Sequence, residues 1–200
     1  MRYLFYLAHP AKFHFHRTTI NKLLKKGNEV DILINTKDIL EELVVEEGWK
    51  YTNIFPNGRK IHFLPSYLSA LFILPLNLYR LFAYIRGSSY DLFIGPQLCA
   101  IGKIIGTPTI YVTDDDIHTT PNQIPNFVMS DYVLAPKLCD IGVYNHKRIC
   151  YDSHKALAHL HPKYFKPNVD NLPPCLRNDI IYFLIRLSKY NSIHDSNSRN

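Results

Sequence analysis

The side chains best equipped for chemistry gather in two short stretches. The first is His9-Pro10-Ala11-Lys12-Phe13-His14-Phe15-His16, three imidazoles and an ammonium within eight residues. Imidazoles titrate near neutral pH and can serve as general acids, as general bases or as donors to a phosphate. The second is Thr113-Asp114-Asp115-Asp116-Ile117-His118. Carboxylates in a row can accept a proton, hold a substrate hydroxyl or bind a metal, but three adjacent ones cannot all be buried. They can equally form a solvated turn that caps the next helix. A metal site needs further oxygen ligands, which the sequence does not identify. Hydroxyl binding or capping is therefore preferred for Asp114 and Asp116, and no metal is expected. His14 and His16, two residues apart, do not share a helical face, which argues against a helix-borne metal pair. His14 is the candidate base or phosphate contact, and His9 and Lys12 are candidate substrate contacts. The alternative is that these histidines are structural or merely exposed.

Both stretches sit where strands end. Residues 2–7 form an aromatic, apolar run of the kind found in buried strands. A helix is expected over 13–26, closed by Gly27, and its N-terminus would offer free N–H groups to an anion. Residues 29–35 read as a second strand. Thr36 can cap a second helix, with Asp38 in its first turn and Gly48 closing it. A third strand is expected over 49–55. A long helix follows over 66–86, which Pro75 should kink or split. Strands are expected at 90–94, 107–113 and 132–134, with helices between them. Gly95, at the end of the fourth strand, is a further candidate for substrate binding. This alternation predicts a Rossmann-like parallel sheet with helices on both faces, whose ligands bind outside the carboxyl ends of the strands. No G-x-G-x-x-G follows the first strand, which disfavours a nicotinamide dehydrogenase of the usual kind.

After Pro136 the pattern loosens, with a short strand and helix over 149–160 and prolines at 167, 173 and 174. The expected organisation is a domain over 1–165, a Pro-rich linker over 166–177, and the first strand of an incomplete second domain with a disordered tail over 178–200. The net charge of +6 is unevenly spread: residues 1–28 hold six Lys/Arg and no acid. Such a surface suits an anionic partner, though a merely soluble basic protein would look the same. No recognised nucleic-acid motif accompanies the charge, so no nucleic-acid partner is expected. The helix over 66–86 mixes apolar residues with Arg80 and Arg86. It can rest at a membrane interface with its cations toward lipid phosphates, or simply pack against its neighbours. The four cysteines form no C-x-x-C pair and no secretory signal is visible, so the expected setting is cytoplasmic, with peripheral membrane contact open.

Several of these segments, in order, resemble the prokaryotic domain-of-unknown-function family 354. They are His9-Pro10-Ala11 with Phe13-His14-Phe15, then Asp91-Leu92-Phe93-Ile94-Gly95, then Thr113-Asp114 with Asn122. Tyr151-Asp152-Ser153-His154-Lys155, Leu160-His161-Pro162 and Tyr164-Phe165-Lys166-Pro167 follow, and then Arg186 with His194-Asp195. The chain departs from the family pattern at Ser153, where glycine is favoured, and at Ala156, where an acid is. That family is similar to UDP-N-acetylglucosamine 2-epimerases and nucleotide-sugar glycosyltransferases of the GT-B fold. The resemblance implies a GT-B N-terminal domain, the acceptor-side half of a glycosyltransferase or sugar-nucleotide epimerase. It implies catalytic roles for His14 and Asp114, and substrate contacts from His9, Lys12, Gly95, Asp116, Asn122 and Arg186. No cofactor is implied: the nucleotide-sugar is a substrate, held mainly by a second half that this chain lacks. The chain is accordingly expected to be inactive alone, with a sugar or glycolipid acceptor and a separate chain supplying the C-terminal domain as partners. The alternative is a non-catalytic module that binds an anionic glycolipid or membrane surface.

Overall fold

The first strand, β1 (Arg2–Leu7), is buried at its last four positions, as expected of a strand covered on both faces. Side chains alternate across it. Phe5 and Leu7 face one layer of helices, and Leu4 and Tyr6 face the other. The computed structural model describes residues 1–58, 66–163, 165–177, 183 and 185. The strand expected over 178–187, Arg186 and the C-terminal tail therefore lie largely or wholly outside the described residues.

Seven strands form one parallel sheet in the order β3-β2-β1-β4-β5-β6-β7. The others are β2 (Glu29–Asn35), β3 (Thr52–Phe55), β4 (Leu92–Ile94), β5 (Thr109–Val112), β6 (Tyr132–Pro136) and β7 (Arg148–Tyr151). The chain winds outward from β1 to β3, then crosses back to β4 on the other side of β1. The direction of winding thus reverses between β1 and β4, and ligands of such sheets bind in the crevice at that point. In register, β1 sets Tyr3 and Phe5 beside Leu92 and Ile94 of β4.

On one face lie α1 (Pro10–Lys25) and α2 (Leu40–Glu46), which bring Phe13, Ile20, Leu40 and Val44 onto Phe5, Leu7, Ile32 and Ile34. On the other lie α3 (Ser66–Ile85), α4 (Leu98–Ile105) and α5 (Ile124–Met129). Leu81, Ile85, Leu98 and Ile101 cover Leu4, Tyr6, Leu33 and Phe93, and Phe127 covers Tyr111 and Val133. Gly102 lets α4 lie close on β5, since a Cβ there would run into Thr109 Cγ2 and Thr107 O.

Three local expectations are corrected. Helix α1 starts at Pro10 rather than residue 13, because His9 caps it. Thr36 caps no helix: its hydroxyl donates across to Pro56 O at 2.8 Å, and α2 begins only at Leu40 after Asp38 takes a φ of 49°. Pro75 does not split α3. It is exposed on the outer side of the helix, where water can take up the hydrogen bond its ring removes.

The chain divides into two units, 1–158 and 159–200. In the second, the Pro-rich stretch holds two 3-10 turns, Val169–Asn171 and Pro174–Leu176. Arg177 ties them by donating to Leu172 O and Asp170 O, both at 2.7 Å.

Candidate functional site

Four strand ends supply the groups around the reversal point: β1 through the start of α1, β4 through Gly95, β5 through Asp114, and β7 through Tyr151 and the loop after it. The start of α1 is closed rather than open. The Nδ1 atom of His9 accepts from Ala11 N at 3.2 Å, and His9 O accepts from Lys12 N at 2.8 Å. Pro10 has no N–H to give. The donors that would cradle a phosphate at a helix N-terminus are therefore already used, which corrects the expected anion site there. Because Nδ1 accepts, the neutral His9 ring carries its proton on Nε2. Partial burial and the nearby cations, Lys37 first, hold this imidazole below its ordinary pKa.

Lys12 reaches from the first turn of α1 to β5, where its ammonium donates to Val112 O at 2.7 Å. Burial, reinforced by Lys155, lowers its pKa to about 8, against the opposing pull of Asp114 and Asp115. Lys155 pairs with Asp114 at 2.7 Å, and neither side chain of the pair is fully exposed. One turn along α1 from Lys12, the His16 ring is buried between Phe5 and Phe15, with centroids at 5.3 and 5.0 Å. Burial first, then Lys12 and Lys155, push its pKa down to about 3, so it is a neutral core group. Tyr151 lies against Phe15, and its buried hydroxyl, pushed up to about 12 by burial and by Asp114, has no hydrogen-bond partner among the described residues. Gln97 Oε1, just past β4, and Asn35 Nδ2, at the end of β2, are likewise buried without partners among the described residues.

His9, Lys12 and Asp114 thus come together, and Lys155 joins them. His14 does not share this group. It follows Lys12 by two residues, about 200° around the helix, and its ring packs edge-on against Phe13. Gly95 has a backbone reason for its identity. Its φ is +145°, and a Cβ there would come within 3.0 Å of Tyr6 Cβ and Tyr6 O. Asp116 closes a turn: its carboxylate accepts from Asp140 N at 2.7 Å and its carbonyl from the Thr119 hydroxyl at 2.8 Å. Asn122 is exposed in the 3-10 turn Pro121–Gln123, and Arg186 lies outside the described residues. Among the described residues no three His, Cys, Asp or Glu side chains are placed to hold a metal ion.

Lys155 and Tyr151 carry no local signal of a role in this group. Lys155 is 41 residues from its partner Asp114, and only the fold of β7 brings them together.

No family model and no curated protein matches the chain. Solved structures do resemble it. MurG of Acinetobacter baumannii matches 75% of the chain and 44% of its own length, at a TM-score of 0.55 and 12% identity. The UDP-GlcNAc 2-epimerase of Neisseria meningitidis, solved with UDP-GlcNAc, matches 68% of the chain and 40% of its own, at 0.51 and 13%. The UDP-GlcNAc 2-epimerase of Methanocaldococcus jannaschii matches 68% and 40%, at 0.50 and 11%. The chain therefore has the Rossmann-like α/β fold of the GT-B class, and it spans less than half the length of these structures. Among the described residues no helix is long and apolar enough to cross a membrane.

Proposed function

We propose that the chain is the acceptor-side half of a GT-B nucleotide-sugar enzyme, a glycosyltransferase or a sugar-nucleotide epimerase, and that it belongs with the domain-of-unknown-function family 354. The observation that carries this reading is the contrast at the reversal point. The phosphate-binding donors of α1 are spent internally, whereas groups suited to hydroxyls, the Asp114 carboxylate, the Lys155 ammonium and the outer nitrogen of His9, gather beside them. A half that handles a sugar acceptor needs the second kind of group and not the first. The buried unpartnered atoms of Gln97 and Tyr151, also at strand ends, suit a ligand rich in hydroxyls.

In this reading Asp114 orients the acceptor hydroxyl or takes its proton, and Lys155 fixes the carboxylate in place. Lys12 ties α1 to β5 and holds positive charge beneath the pair. His9 is the imidazole that shares the group. The nucleotide-sugar is held chiefly by a second half, supplied by another chain or another segment, and the 200 residues alone do not turn it over.

The test is ligand-observed NMR on the full chain with sugar acceptors and with UDP-sugars, each alone. Acceptor binding that weakens in Asp114→Asn and Lys155→Met, with no turnover of UDP-sugar, is the expected result. Turnover of a UDP-sugar by the chain alone would overturn the half-site reading, and acceptor binding indifferent to both substitutions would overturn the assigned residues.

A further inference from the structure

We propose that the site at the reversal point holds a subsite for a carboxylate, built on Lys12, so that the acceptor it takes is a sugar acid rather than a neutral sugar. This rests on the acceptor-side reading and names the class of acceptor. The observation behind it is a cation without a counter-ion. An ammonium has three N–H groups to give and accepts nothing. Lys12 spends one of them on Val112 O at 2.7 Å. Among the described residues it has no second hydrogen bond and no carboxylate within ion-pair distance. Asp114 pulls on it most strongly, but that carboxylate is already held by Lys155 at 2.7 Å. Asp115 pulls more weakly, from an exposed position. No acid occurs between Glu47 and Asp91, so the segment after β3 brings none.

A partly buried ammonium left in this state is costly, and one negative charge would relieve it. Two ammoniums, Lys12 and Lys155, against the one carboxylate of Asp114 leave a single positive charge. Lys37 and Asp38, an exposed pair at 3.3 Å, offset each other. The groups left to fill are donors. Beside the two spare N–H groups of Lys12 stand the Tyr151 hydroxyl, buried and without a partner among the described residues, and the outer N–H of His9. Lys12 is half-buried rather than sealed in the core, so it is not closed off from solvent.

A carboxylate fits this set better than the other occupants. A water molecule would fill a hydrogen bond and leave the charge. A phosphate dianion would overshoot it, beside Asp114 and Asp115. The backbone N–H groups that a phosphate recruits at a helix N-terminus are also spent inside α1, whereas the side-chain donors of Lys12 are not.

The experiment is ligand-observed NMR titration of the full chain with D-glucuronate, D-glucose, glucose 6-phosphate and acetate, each alone. Glucuronate should bind about tenfold more tightly than glucose, and Lys12→Met should bring it down to the level of glucose. Lys12→Gln, whose amide can still donate to Val112 O, replaces that variant if circular dichroism shows it unfolded. Wild type gives a second readout. With Lys12 at a pKa of about 8, glucuronate affinity should fall about tenfold between about pH 7 and about pH 9, as the charged fraction does, while glucose affinity stays constant. The other groups facing Lys12 are His9 and His16 on α1, Asp114 and Asp115 after β5, Tyr151 on β7 and Lys155 beyond it. Both imidazoles are held below their ordinary pKa and stay neutral over that range, and Tyr151, at about 12, keeps its proton. Glucose binding as tightly as glucuronate, or a glucuronate preference indifferent to Lys12, overturns the carboxylate subsite and leaves the acceptor-side reading standing. A preference for glucose 6-phosphate that is lost with Lys12 overturns it in favour of a phosphate. Acetate binding as well as glucuronate through Lys12, with no binding of glucose, supports the subsite and overturns the acceptor-side reading. Binding of none of these probes overturns both.

Discussion

Replacing His16 by phenylalanine should make the protein less sensitive to acid. The native imidazole is buried between Phe5 and Phe15 with Lys12 and Lys155 nearby, and its pKa falls from 6.5 to about 3. In the unfolded chain the same group takes a proton near its ordinary value. Below that value the unfolded state therefore binds more protons than the folded state, and stability falls with pH until the folded pKa is reached. Integrating between those two values, the loss from His16 alone is about 2 kcal/mol between about pH 7.5 and about pH 5, and about 3 kcal/mol by about pH 4. Phenylalanine keeps an aromatic ring between its two neighbours and cannot be protonated. The assay is urea unfolding of both proteins across that range, followed by circular dichroism. Carboxylates and other histidines titrate in both, so the difference between the two curves isolates His16. The variant's stability at neutral pH is immaterial, since only the pH dependence is compared. If wild type and His16→Phe lose stability in parallel, the imidazole is not held neutral and the burial argument is wrong.

Three further outcomes can be checked by the same unfolding measurements. Lys12 has a folded pKa of about 8, below its ordinary 10.5, so wild type should gain about 2 kcal/mol between about pH 7.5 and about pH 9.5 as the buried ammonium is relieved of its charge. Lys12→Met should show no such gain, and an equal rise in both proteins would sink this reading. Gly102→Ala should cost about 3 kcal/mol, because the new methyl group meets Thr109 and backbone at the α4–β5 contact; a near-neutral result would mean that α4 shifts freely. Lys147→Met should cost about 2 kcal/mol, since that ammonium donates to Phe127 O, Val128 O and Ser130 O at the end of α5, and retention of full stability would show those carbonyls to be satisfied by water.

Much of the fold is legible along the chain because burial on both faces of a parallel sheet leaves short apolar runs between turn residues. The run at 29–35 has the same limits in the sequence reading as in the structure. The start of α1 was obscured because a histidine does the work usually given to Ser, Thr, Asp or Asn. Thr36 misled for the opposite reason: a favoured capping residue is drawn instead into a bond across to the end of β3. The site was only half legible. His9, Lys12 and Asp114 could be placed because each lies next to a strand end. Lys155 could not, because its pairing depends on β7 adding to β6 and on the loop beyond it turning back toward β5. His14 drew attention by its residue type, yet helical rotation sets it away from the group that its sequence neighbours join.

The strand order also has a consequence for synthesis. As the chain leaves the ribosome, β1 acquires β2 and then β3, but its other edge waits for β4, whose pairing residues lie 89 positions further on. About 60 residues separate the end of β2 from the end of β4, which at usual translation speeds is a delay of roughly 3–12 s. Throughout that interval the nascent protein holds an unpaired edge on a strand that will become one of the most deeply covered in the sheet, and the apolar residues awaiting α4 and α5 are also open. An unpaired apolar edge of this kind recruits other strands. The β1 edge is thus exposed to mispairing during synthesis in a way that the finished sheet, where β4 covers it, is not.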